Sequence, residues 1–534
     1  MAPGSRTGAR LGGDVIRRDH AIGEAAQGRP YDFLIIGGGA SGLGTATDAA
    51  ARGYRTLVVD QHDFAKATSS RSTKLIHGGV RYLKQGKIGL VRESLRERGL
   101  LCRNAPHLVH HLPFLVPIYT WWHGPYYGIG LKLYDRLAGE LGLTPSKTLS
   151  RAEALGQIPT LKPEGLRKGV QYRDSQFDDS RLAVNLAQTV VDMGGSAINY
   201  MKVTRFLKTG GRLKGAVLQD QETGDEYEVK ARCVINATGI FTDEVRALDQ
   251  AGAHPLITTS QGAHVVLPKS FLPGQSALMV PKTPDGRILF AIPWRDYVLV
   301  GTTDVPVDTV SLEPTPLEEE IDFILSTAAG YLSHAPERSD VLSAFAGLRP
   351  LVKTGSGKST ASLSREHTIL TSDSGLVTVT GGKWTTYRKM AQDVMKQAER
   401  VAGVEPRPCP TAQLRIHGWT DAPSADPVFG MYGCGAEAVE RLAREDPALA
   451  EKLHPDLPYT AANVVWAVRE EMARTVEDVL SRRTRALILN ARASVEAAPK
   501  VAKLLAAELG HDETWTQRAA GEYEKLAAQY LLTP

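Results

Sequence analysis

The sequence predicts an α/β fold with more than one domain. Three observations favour it: a strand, turn, helix, strand pattern begins at residue 31, strand-like segments fill the middle of the chain, and helical spacing of Ala, Leu, Glu and Arg starts near residue 407. With 534 residues, 42% of them hydrophobic, the chain can bury two or three cores, because single cores stop growing at roughly 250 to 300 residues.

The N-terminal pattern is one βαβ unit. Residues 31–36 form a short apolar run, the Ala-rich residues 41–52 follow a cluster of glycines, and residues 55–59 supply a second apolar run that stops at Asp60. Because a helix connects the two runs, they are expected to pair in parallel.

The glycine cluster matches G-x-G-x-x-G at Gly37, Gly39 and Gly42. Gly37 permits the tight turn, Gly39 lets backbone amides approach a pyrophosphate, and Gly42 allows close helix packing. Asp60, about twenty residues further on, is placed to accept a ribose hydroxyl. The motif predicts a bound dinucleotide but serves NAD and FAD alike, so it leaves that choice open.

Two further strand ends carry turn residues. The apolar runs 233–235 and 376–380 end in residues 236–239 and 381–383. With the end of the first strand at residue 36, three strand ends carry turn residues, and five segments between the first and the last are typical of strands and indicate a mixed or antiparallel second sheet. They are residues 203–207, 213–218, 264–267, 288–293 and 297–300. The longest candidate helix of the C-terminal region is 461–482.

The chain ends and the charge restrict the class of protein. Residues 1–29 are predicted to be a disordered extension, since they lack the apolar stretch of a secretory signal. No window reaches the roughly 18 apolar residues of a spanning helix. A net charge of +4 gives no argument for a nucleic-acid partner.

Several conspicuous sequence patterns are not interpreted as binding sites. Four widely spaced cysteines and the pair His110-His111 lack metal-ligand spacing, so no metal site is predicted. Residues 355–360 resemble a phosphate-binding loop, but position 352 is Val where that motif needs Gly. Residues 482–485, Arg-Arg-Thr-Arg, are predicted to be a solvated helix face rather than an anion site.

The hydroxyl-rich segment 67–79 indicates whether the bound dinucleotide is NAD or FAD. Alone it would be interpreted as a solvated loop, but residues 67–83, with Lys-Leu-Ile-His-Gly-Gly-Val-Arg-Tyr at 74–82, closely resemble the flavin-proximal segment of FAD-dependent glycerol-3-phosphate dehydrogenases and glycerophosphate oxidases. Similar blocks recur in order at 234–239, 292–294, 301–304, 347–350, 381–388 and 470–475. The resemblance covers about residues 31–490.

This resemblance implies a glutathione-reductase-type FAD-binding domain built from about residues 30–105, 170–250 and 345–406. A mixed-sheet substrate domain (about 106–169 and 251–344) is inserted, and a helical domain (407–534) follows. The FAD contacts that it implies are Gly37, Gly39, Gly42, Asp60, Thr68, Ser69, Ser70, Lys74, Leu75, His77, Gly79, Val203 and Gly382. The family more often has Glu-Ala at Asp60-Gln61 and Leu at Trp384, so local details there are expected to differ.

The resemblance also implies a reaction, the oxidation of sn-glycerol 3-phosphate to dihydroxyacetone phosphate with hydride transfer to FAD. Such a substrate needs cations for its phosphate and a proton acceptor near the flavin. Catalytic roles are predicted for His264, as base, and for Arg349 and Lys383. The candidate substrate-binding residues are Arg81, Tyr82, Arg349, Arg365, Lys383 and Thr385.

The electron acceptor is the least determined part. The resemblance favours a membrane quinone and a peripheral protein on the cytoplasmic face of the cell membrane; the alternatives are an oxidase that uses oxygen and a related FAD-dependent oxidoreductase of another substrate. Residues 108–143 mix basic Lys132 and Arg136 with aromatic rings, which suits a lipid interface, or else the rings pack beneath the substrate domain. The rings are Phe114, Tyr119, Trp121, Trp122, Tyr126, Tyr127 and Tyr134. A homodimer is compatible with the sequence, which does not give the oligomeric state.

Overall fold

The structure is a computed structural model and describes residues 18–84, 86–120, 123–281, 283, 286–353 and 367–532. Its strands are β1 Tyr31–Ile36, β2 Thr56–Val59, β3 Leu75–Ile76, β4 Val109–Ile118, β5 Lys147–Ser150, β6 Lys168–Phe177, β7 Ser196–Ile198, β8 Met201–Thr209, β9 Arg212–Asp220, β10 Glu226–Asn236, β11 Ile257–Pro268, β12 Ala277–Val280, β13 Leu289–Trp294, β14 Tyr297–Gly301, β15 Val305–Val307, β16 Ser343–Val352, β17 Thr368–Thr371 and β18 Val377–Thr380.

The helices are α1 Arg18–Ala26, α2 Ala40–Ala51, α3 Val80–Lys84, α4 Ile88–Asn104, α5 His123–Leu137, α6 Arg151–Gln157, α7 Asp179–Asp192, α8 Thr242–Asp249, α9 Glu318–Ala329, α10 Tyr387–Ala402, α11 Pro427–Gly430, α12 Ala436–Glu445, α13 Ala461–Glu471, α14 Ala486–Leu489, α15 Ala491–Leu509 and α16 Glu513–Ala527. A π-helix spans Asp478–Arg483.

The first sheet has the strand order β17-β18-β10-β1-β2-β7. Strands β18, β10, β1, β2 and β7 pair in parallel, so their carboxyl ends meet at one edge. Strand β1 is almost wholly buried, as its near-continuous apolar sequence predicts for a parallel strand covered on both faces. The predicted βαβ unit is therefore confirmed.

Strands β8 and β9 extend this first sheet. They contain the predicted segments 203–207 and 213–218, but β9 pairs antiparallel with β10 and so joins the first sheet rather than the second. The reason is local: residues 221–225 connect β9 to β10 as a short hairpin, which favours pairing between neighbours.

The second sheet has the order β15-β11-β14-β13-β12-β4-β6-β3, with β16 on β11 and β5 on β6. Its pairings are antiparallel except for β12 with β4, so the prediction of a mixed second sheet is confirmed. Strands β3, β6 and β16 come largely from segments that the sequence assigns to the FAD-binding domain. The second sheet thus draws on both sets of segments, and the division into domains remains a proposal.

Helices α11 to α16 form the C-terminal region, which confirms the prediction of a helical end. They share one hydrophobic core with the helices that cover the first sheet: Leu43 and Leu182 lie in the same buried cluster as Val394, Leu487 and Val501. The C-terminal region is therefore packed directly against the helices of the first sheet. Among the described residues no helix is both long and apolar enough to cross a membrane.

The predicted helix 461–482 is wrong as one element. Helix α13 ends at Glu471, and Met472 has a left-handed backbone with φ of +54°. The amides of Arg474 and Thr475 then donate to Asp478 Oδ2 at 2.8 and 3.0 Å. These bonds hold the turn between α13 and the separate π-helix, and a regular helix pattern does not reveal them.

The prediction of a disordered extension over residues 1–29 is also wrong for its last part, because Arg18–Ala26 form α1. Arg18 is 7% exposed and donates to Asp220 Oδ1 at 2.6 Å and to the carbonyl of Asn199 at 3.1 Å. Contacts distant in sequence therefore order this segment. Residues 1–17 lie outside the described residues.

Candidate active site

A cavity of about 690 Å³ lies along the carboxyl edge of the first sheet and reaches the second sheet. The turns after β1, β2, β10 and β18 contribute Gly37, Asp60, Ala237 and Gly381 to its wall. Ligands of open α/β sheets bind at this edge. The predicted strand ends thus converge on one site.

The turn after β1 requires its glycines. Gly37 has φ of +111°, and a Cβ there would lie 2.6 Å from the carbonyl oxygen of Ala237. A Cβ on Gly39 would lie 3.0 Å from Ser69 Oγ, and one on Gly42 only 1.8 Å from the carbonyl oxygen of Gly37. Gly37 and Gly39 line the cavity, whereas Gly42 lies beneath the turn and lets α2 approach it. Such a cradle fits a pyrophosphate at a helix N-terminus.

Asp60 lies at the end of β2 and lines the cavity. Its carboxylate accepts hydrogen bonds from the amides of Gly38 at 2.6 Å and His62 at 2.8 Å. Burial raises the pKa of Asp60 to about 6 despite these bonds. The position suits a ribose hydroxyl, and Val203, another predicted FAD contact, also lines the cavity.

The flavin-proximal segment contributes the central wall. Thr68, Ser69, Leu75, His77 and Gly79 line the cavity, and so does Gly382. Thr68 Oγ1 donates to the carbonyl of Leu348 at 2.7 Å, while Ser69 Oγ accepts from the amide of Ala40 at 2.9 Å. These bonds tie the segment to β16 of the second sheet and to the first residue of α2.

Lys74 and Ser70 do not line this cavity, although both are predicted FAD contacts. The Lys74 side chain is 0% exposed and its ammonium lies 2.7 Å from Asp179 Oδ2. A buried charge must be paired, and here the partner lies behind the segment. The Ser70 carbonyl accepts from Lys74 Nζ on the same side, at 2.8 Å.

His264 lies on β11 at the other end of the cavity. Its Nε2 is 3.0 Å from Thr73 Oγ1, and its ring stacks on Phe345 with centroids 5.0 Å apart. The pKa of His264 is well below its usual value because of burial and, second, because of the cations Lys74 and Arg349. Burial and these cations therefore favour the neutral imidazole.

Arg349 projects from β16, opposite Ser260 of β11. Its Nη2 donates to Thr302 Oγ1 and to the carbonyl of Thr303, both at 3.1 Å, and its Nη1 lies 3.5 Å from Asp304 Oδ1. The guanidinium lines the cavity, held by acceptors behind it. The sequence block at 301–304 thus supplies the residues that orient Arg349.

Lys383 follows β18, and its ammonium lies 4.0 Å from the centre of the Tyr82 ring. Thr385 accepts a hydrogen bond from the amide of His77 at 3.3 Å. Lys383, Tyr82 and Thr385 all line the cavity, so these predicted residues meet at one site. The side chain of Arg81 and all of Arg365 lie outside the described residues.

Comparison with known proteins agrees with this geometry. Residues 32–388 match the family described as FAD dependent oxidoreductase, and residues 374–516 match the C-terminal domain of alpha-glycerophosphate oxidase. The mitochondrial glycerol-3-phosphate dehydrogenase of Rattus norvegicus is 40% identical over 94% of this chain and 73% of its own length. The chain belongs to the FAD-dependent glycerol-3-phosphate dehydrogenase family.

A plant relative and two solved structures are also similar to this chain. The mitochondrial glycerol-3-phosphate dehydrogenase of Arabidopsis thaliana is 38% identical over 97% of this chain and 88% of its own. The solved glycerol-3-phosphate dehydrogenase from Bacillus halodurans, complexed with FAD, is 31% identical with a TM-score of 0.79, covering 97% of this chain and 98% of its own. An L-alpha-glycerophosphate oxidase from Mycoplasma pneumoniae, 20% identical with a TM-score of 0.54, covers 73% of this chain and 100% of its own and shows the fold alone.

Within this family fold, Trp384 shows how the chain departs from the usual Leu. The indole is 8% exposed, donates to the carbonyl of Ser69 at 2.9 Å and packs edge-on against Phe177 and Tyr387. Trp384 also lines the cavity. The larger ring therefore ties the turn after β18 to the flavin-proximal segment.

The prediction that residues 482–485 form a solvated helix face is wrong. Arg482, Arg483 and Arg485 are at most 2% exposed. Arg482 and Arg483 bind Asp63, the latter with Nη1 2.7 Å from Oδ2, and Arg485 binds Asp179 at 3.0 Å. Asp63 and Asp179 lie far away in sequence, and Arg482 also pairs with Glu477 and Asp478 of its own region.

The described rings of the aromatic segment 108–143 pack in the interior, Phe114, Tyr127 and Tyr134 in or against one core and Tyr119 against another. Phe114 and Tyr134 are each 1% exposed and pack in a core with Tyr172. On α5, by contrast, Ile129 is 72% and Leu133 44% exposed. Trp121, Trp122 and residues 355–360 lie outside the described residues, and so does the side chain of Tyr126.

Proposed function

We propose that this chain oxidises sn-glycerol 3-phosphate to dihydroxyacetone phosphate, with FAD as hydride acceptor, and passes the electrons to a membrane quinone. The observation that carries the proposal is the meeting of His264, Arg349 and Lys383 at the cavity that also holds the dinucleotide turn. The names of the relatives, matched over nearly the whole chain, support the same substrate.

Arg349 and Lys383 bind the substrate phosphate in this proposal. A guanidinium offers paired donors to a phosphate, and an ammonium adds a point charge. Arg349 is preorganised by Thr302 and Thr303 behind it, and Lys383 rests on the Tyr82 ring. The two cations therefore need little rearrangement to meet a dianion.

His264 accepts the proton of the substrate C2 hydroxyl at Nε2 while the C2 hydride leaves. FAD, when bound, supplies the hydride acceptor for such an oxidation. The two cations that lower the pKa of His264 are Lys74 and Arg349. A phosphate dianion on Arg349 offsets one of them, so substrate binding raises the basicity of the imidazole when it is needed.

Anaerobic mixing tests the substrate assignment, since glycerol 3-phosphate should bleach the bound flavin. Arg349→Met and Lys383→Met should each raise KM for glycerol 3-phosphate roughly tenfold to a hundredfold with FAD content intact, the loss expected for one charge-assisted contact. Lys389→Met is the control, because Lys389 pairs with Asp393 on α10 and does not line the cavity. No bleaching of the wild-type flavin would favour an oxidoreductase of another substrate.

The exposed face of α5 is proposed to lie on the membrane. Ile129 and Leu133 are exposed beside the exposed cations Lys132 and Arg136. An amphipathic helix of this kind can bury its apolar residues in the headgroup region while the cations meet anionic lipid. The protein would then sit on the cytoplasmic face of the cell membrane, within reach of a quinone.

Two measurements test this acceptor. Turnover with a soluble quinone analogue should exceed hydrogen peroxide production roughly tenfold or more. The protein should also sediment with vesicles that contain anionic lipid, and Leu133→Glu should weaken this binding. Leu248→Glu is the matched control, since Leu248 is 45% exposed on α8. If the protein does not bind the vesicles and produces hydrogen peroxide rapidly, it is an oxidase instead.

A further inference from the structure

One buried cluster of charged side chains lies outside the cavity. It contacts the back of residues 68–74, which are part of the flavin-proximal segment 67–83. The front of this segment lines the cavity through Ser69, Arg71, Ser72 and Thr73. Its back presents the carbonyls of Ser70 and Ser72 to the interior. The two faces belong to the same few residues, so whatever fixes the back also fixes the front.

Three fully buried charged side chains hold that back face: Lys74, Asp179 and Arg485, each 0% exposed. Asp179 receives Lys74 Nζ on Oδ2 at 2.7 Å and Arg485 Nη2 on Oδ1 at 3.0 Å. Both cations also donate to the carbonyl of Ser70, at 2.8 Å each. Asp179 further accepts from the amide of Ser72 at 3.1 Å.

The third member comes from the other end of the chain. Arg485 follows the π-helix of the C-terminal region and is 415 residues from Ser70. Its backbone is left-handed with φ of +71°, and that of Lys74 is left-handed with φ of +60°. Non-glycine residues keep such a conformation only where their surroundings enforce it, and such positions cluster at functional sites.

The cluster reaches the candidate base by two routes. Thr73, next to Lys74, places its Oγ1 3.0 Å from Nε2 of His264. Lys74 Nζ lies 5.5 Å from the centre of the Phe345 ring, which stacks on His264 from the other side. A shift of residues 70–74 would therefore change both the hydrogen bond and the charge that His264 meets.

We propose that Arg485 is a positioning residue of the active site: by holding Ser70 and Asp179 from behind, it fixes where Thr73 meets His264. The helical C-terminal region is then part of the catalytic machinery without touching substrate or flavin. The groups that act on His264 are Lys74 and Arg349, and the groups that act in turn on Lys74 are Asp179, Arg485 and Asp178.

Arg485→Met removes the clamp, and Arg485→Lys keeps a charge but cannot bond Ser70, Asp179 and Ser481 together. In the holoenzyme, Arg485→Met should slow anaerobic flavin reduction by glycerol 3-phosphate roughly tenfold to a hundredfold, with KM little changed, and Arg485→Lys should be intermediate. Arg469→Met is the control, because Arg469 pairs with Glu508 on the surface of the same region.

The pH profile separates positioning from general damage. Moving Lys74 away, or removing the bond to neutral His264, should raise the pKa of the imidazole, so the acid limb of the rate should move to higher pH. Thr73→Val should give the same shift with unchanged thermal unfolding, and it decides the matter if Arg485→Met does not fold. Wild-type rates and limbs in Thr73→Val, or in folded Arg485→Met, would overturn the proposal.

These rates rest on the proposed function, because they are measured with glycerol 3-phosphate. The visible spectrum of bound FAD can be recorded whatever the substrate is. If glycerol 3-phosphate fails to reduce even the wild-type flavin, the proposed function fails. The spectrum then decides the positioning role: it should differ from wild type in Arg485→Met and less so in Arg485→Lys, while an unchanged spectrum in both would refute it.

Discussion

Gly42→Ala should abolish FAD binding, although it adds one methyl group. A Cβ at position 42 would lie 1.8 Å from the carbonyl oxygen of Gly37, whereas real Cβ atoms essentially never approach a heavy atom within 3.0 Å. The backbone must therefore move by at least 3.0 − 1.8, or about 1.2 Å. A hydrogen bond of roughly 3 Å to a pyrophosphate would stretch beyond 4 Å and cease to exist.

The ratio of flavin to protein absorbance in the purified variant measures this effect, and thermal unfolding shows whether the chain still folds. Gly521→Ala is the matched control. Gly521 lies within α16 with nothing within 4 Å of its would-be Cβ, so that change should leave FAD content normal and stabilise the helix by about 0.5–1 kcal/mol. A folded Gly42→Ala protein with full FAD content would refute the reasoning.

Three further outcomes follow from buried carboxylates. FAD should bind the apoprotein more tightly as pH rises through the Asp60 pKa of about 6, because a ribose hydroxyl bonds best to the ionised form, and Asp60→Asn should flatten this dependence in FAD titrations. Asp304→Asn should raise KM with flavin content unchanged, because it weakens the support at 3.5 Å for Arg349; an unaltered KM would argue against that support. Asp63→Asn should lower the free energy of unfolding in denaturant by about 3–5 kcal/mol, because it removes the partner of Arg483; a much smaller loss would mean that the guanidinium finds other acceptors.

The dinucleotide half of the site could be predicted because its signal is contiguous. Gly37, Gly39 and Gly42 lie within one stretch of six residues, and a Cβ at each would lie 3.0 Å or less from another atom. Asp60 ends the next strand of the same βαβ unit. The motif and its spacing belong to this one unit, so local pattern and structure agree.

The interior of the site could not be predicted in the same way. Lys74 lies in a motif whose neighbours face the cavity, but its ammonium turns to the other side, to Asp179, 105 residues away, and to the carbonyls of Ser70 and Ser72. Asp304 lies in the block 301–304, but its part in orienting Arg349 appears only when β16 brings Arg349 beside it. The directions of these charged side chains are therefore set by ion pairs between distant residues, which the spacing of a motif does not show.

The arginines at 482, 483 and 485 show why such pairing escapes a periodic pattern. In a regular α-helix successive residues advance by about 100°, so these three would lie within an arc of about 160°, which a helical pattern assigns to one charged, solvated face. The π-helix Asp478–Arg483 and the left-handed backbone of Arg485 change that geometry and turn all three inward. Buried guanidinium groups are tolerated only with partners; Arg483 pairs with Asp63, which precedes the flavin-proximal segment in sequence, and Arg485 pairs with Asp179, which also binds that segment. A helical pattern assigns this cluster of arginines to solvent. In the structure the cluster instead binds the C-terminal region to the flavin-proximal segment and the residues next to it.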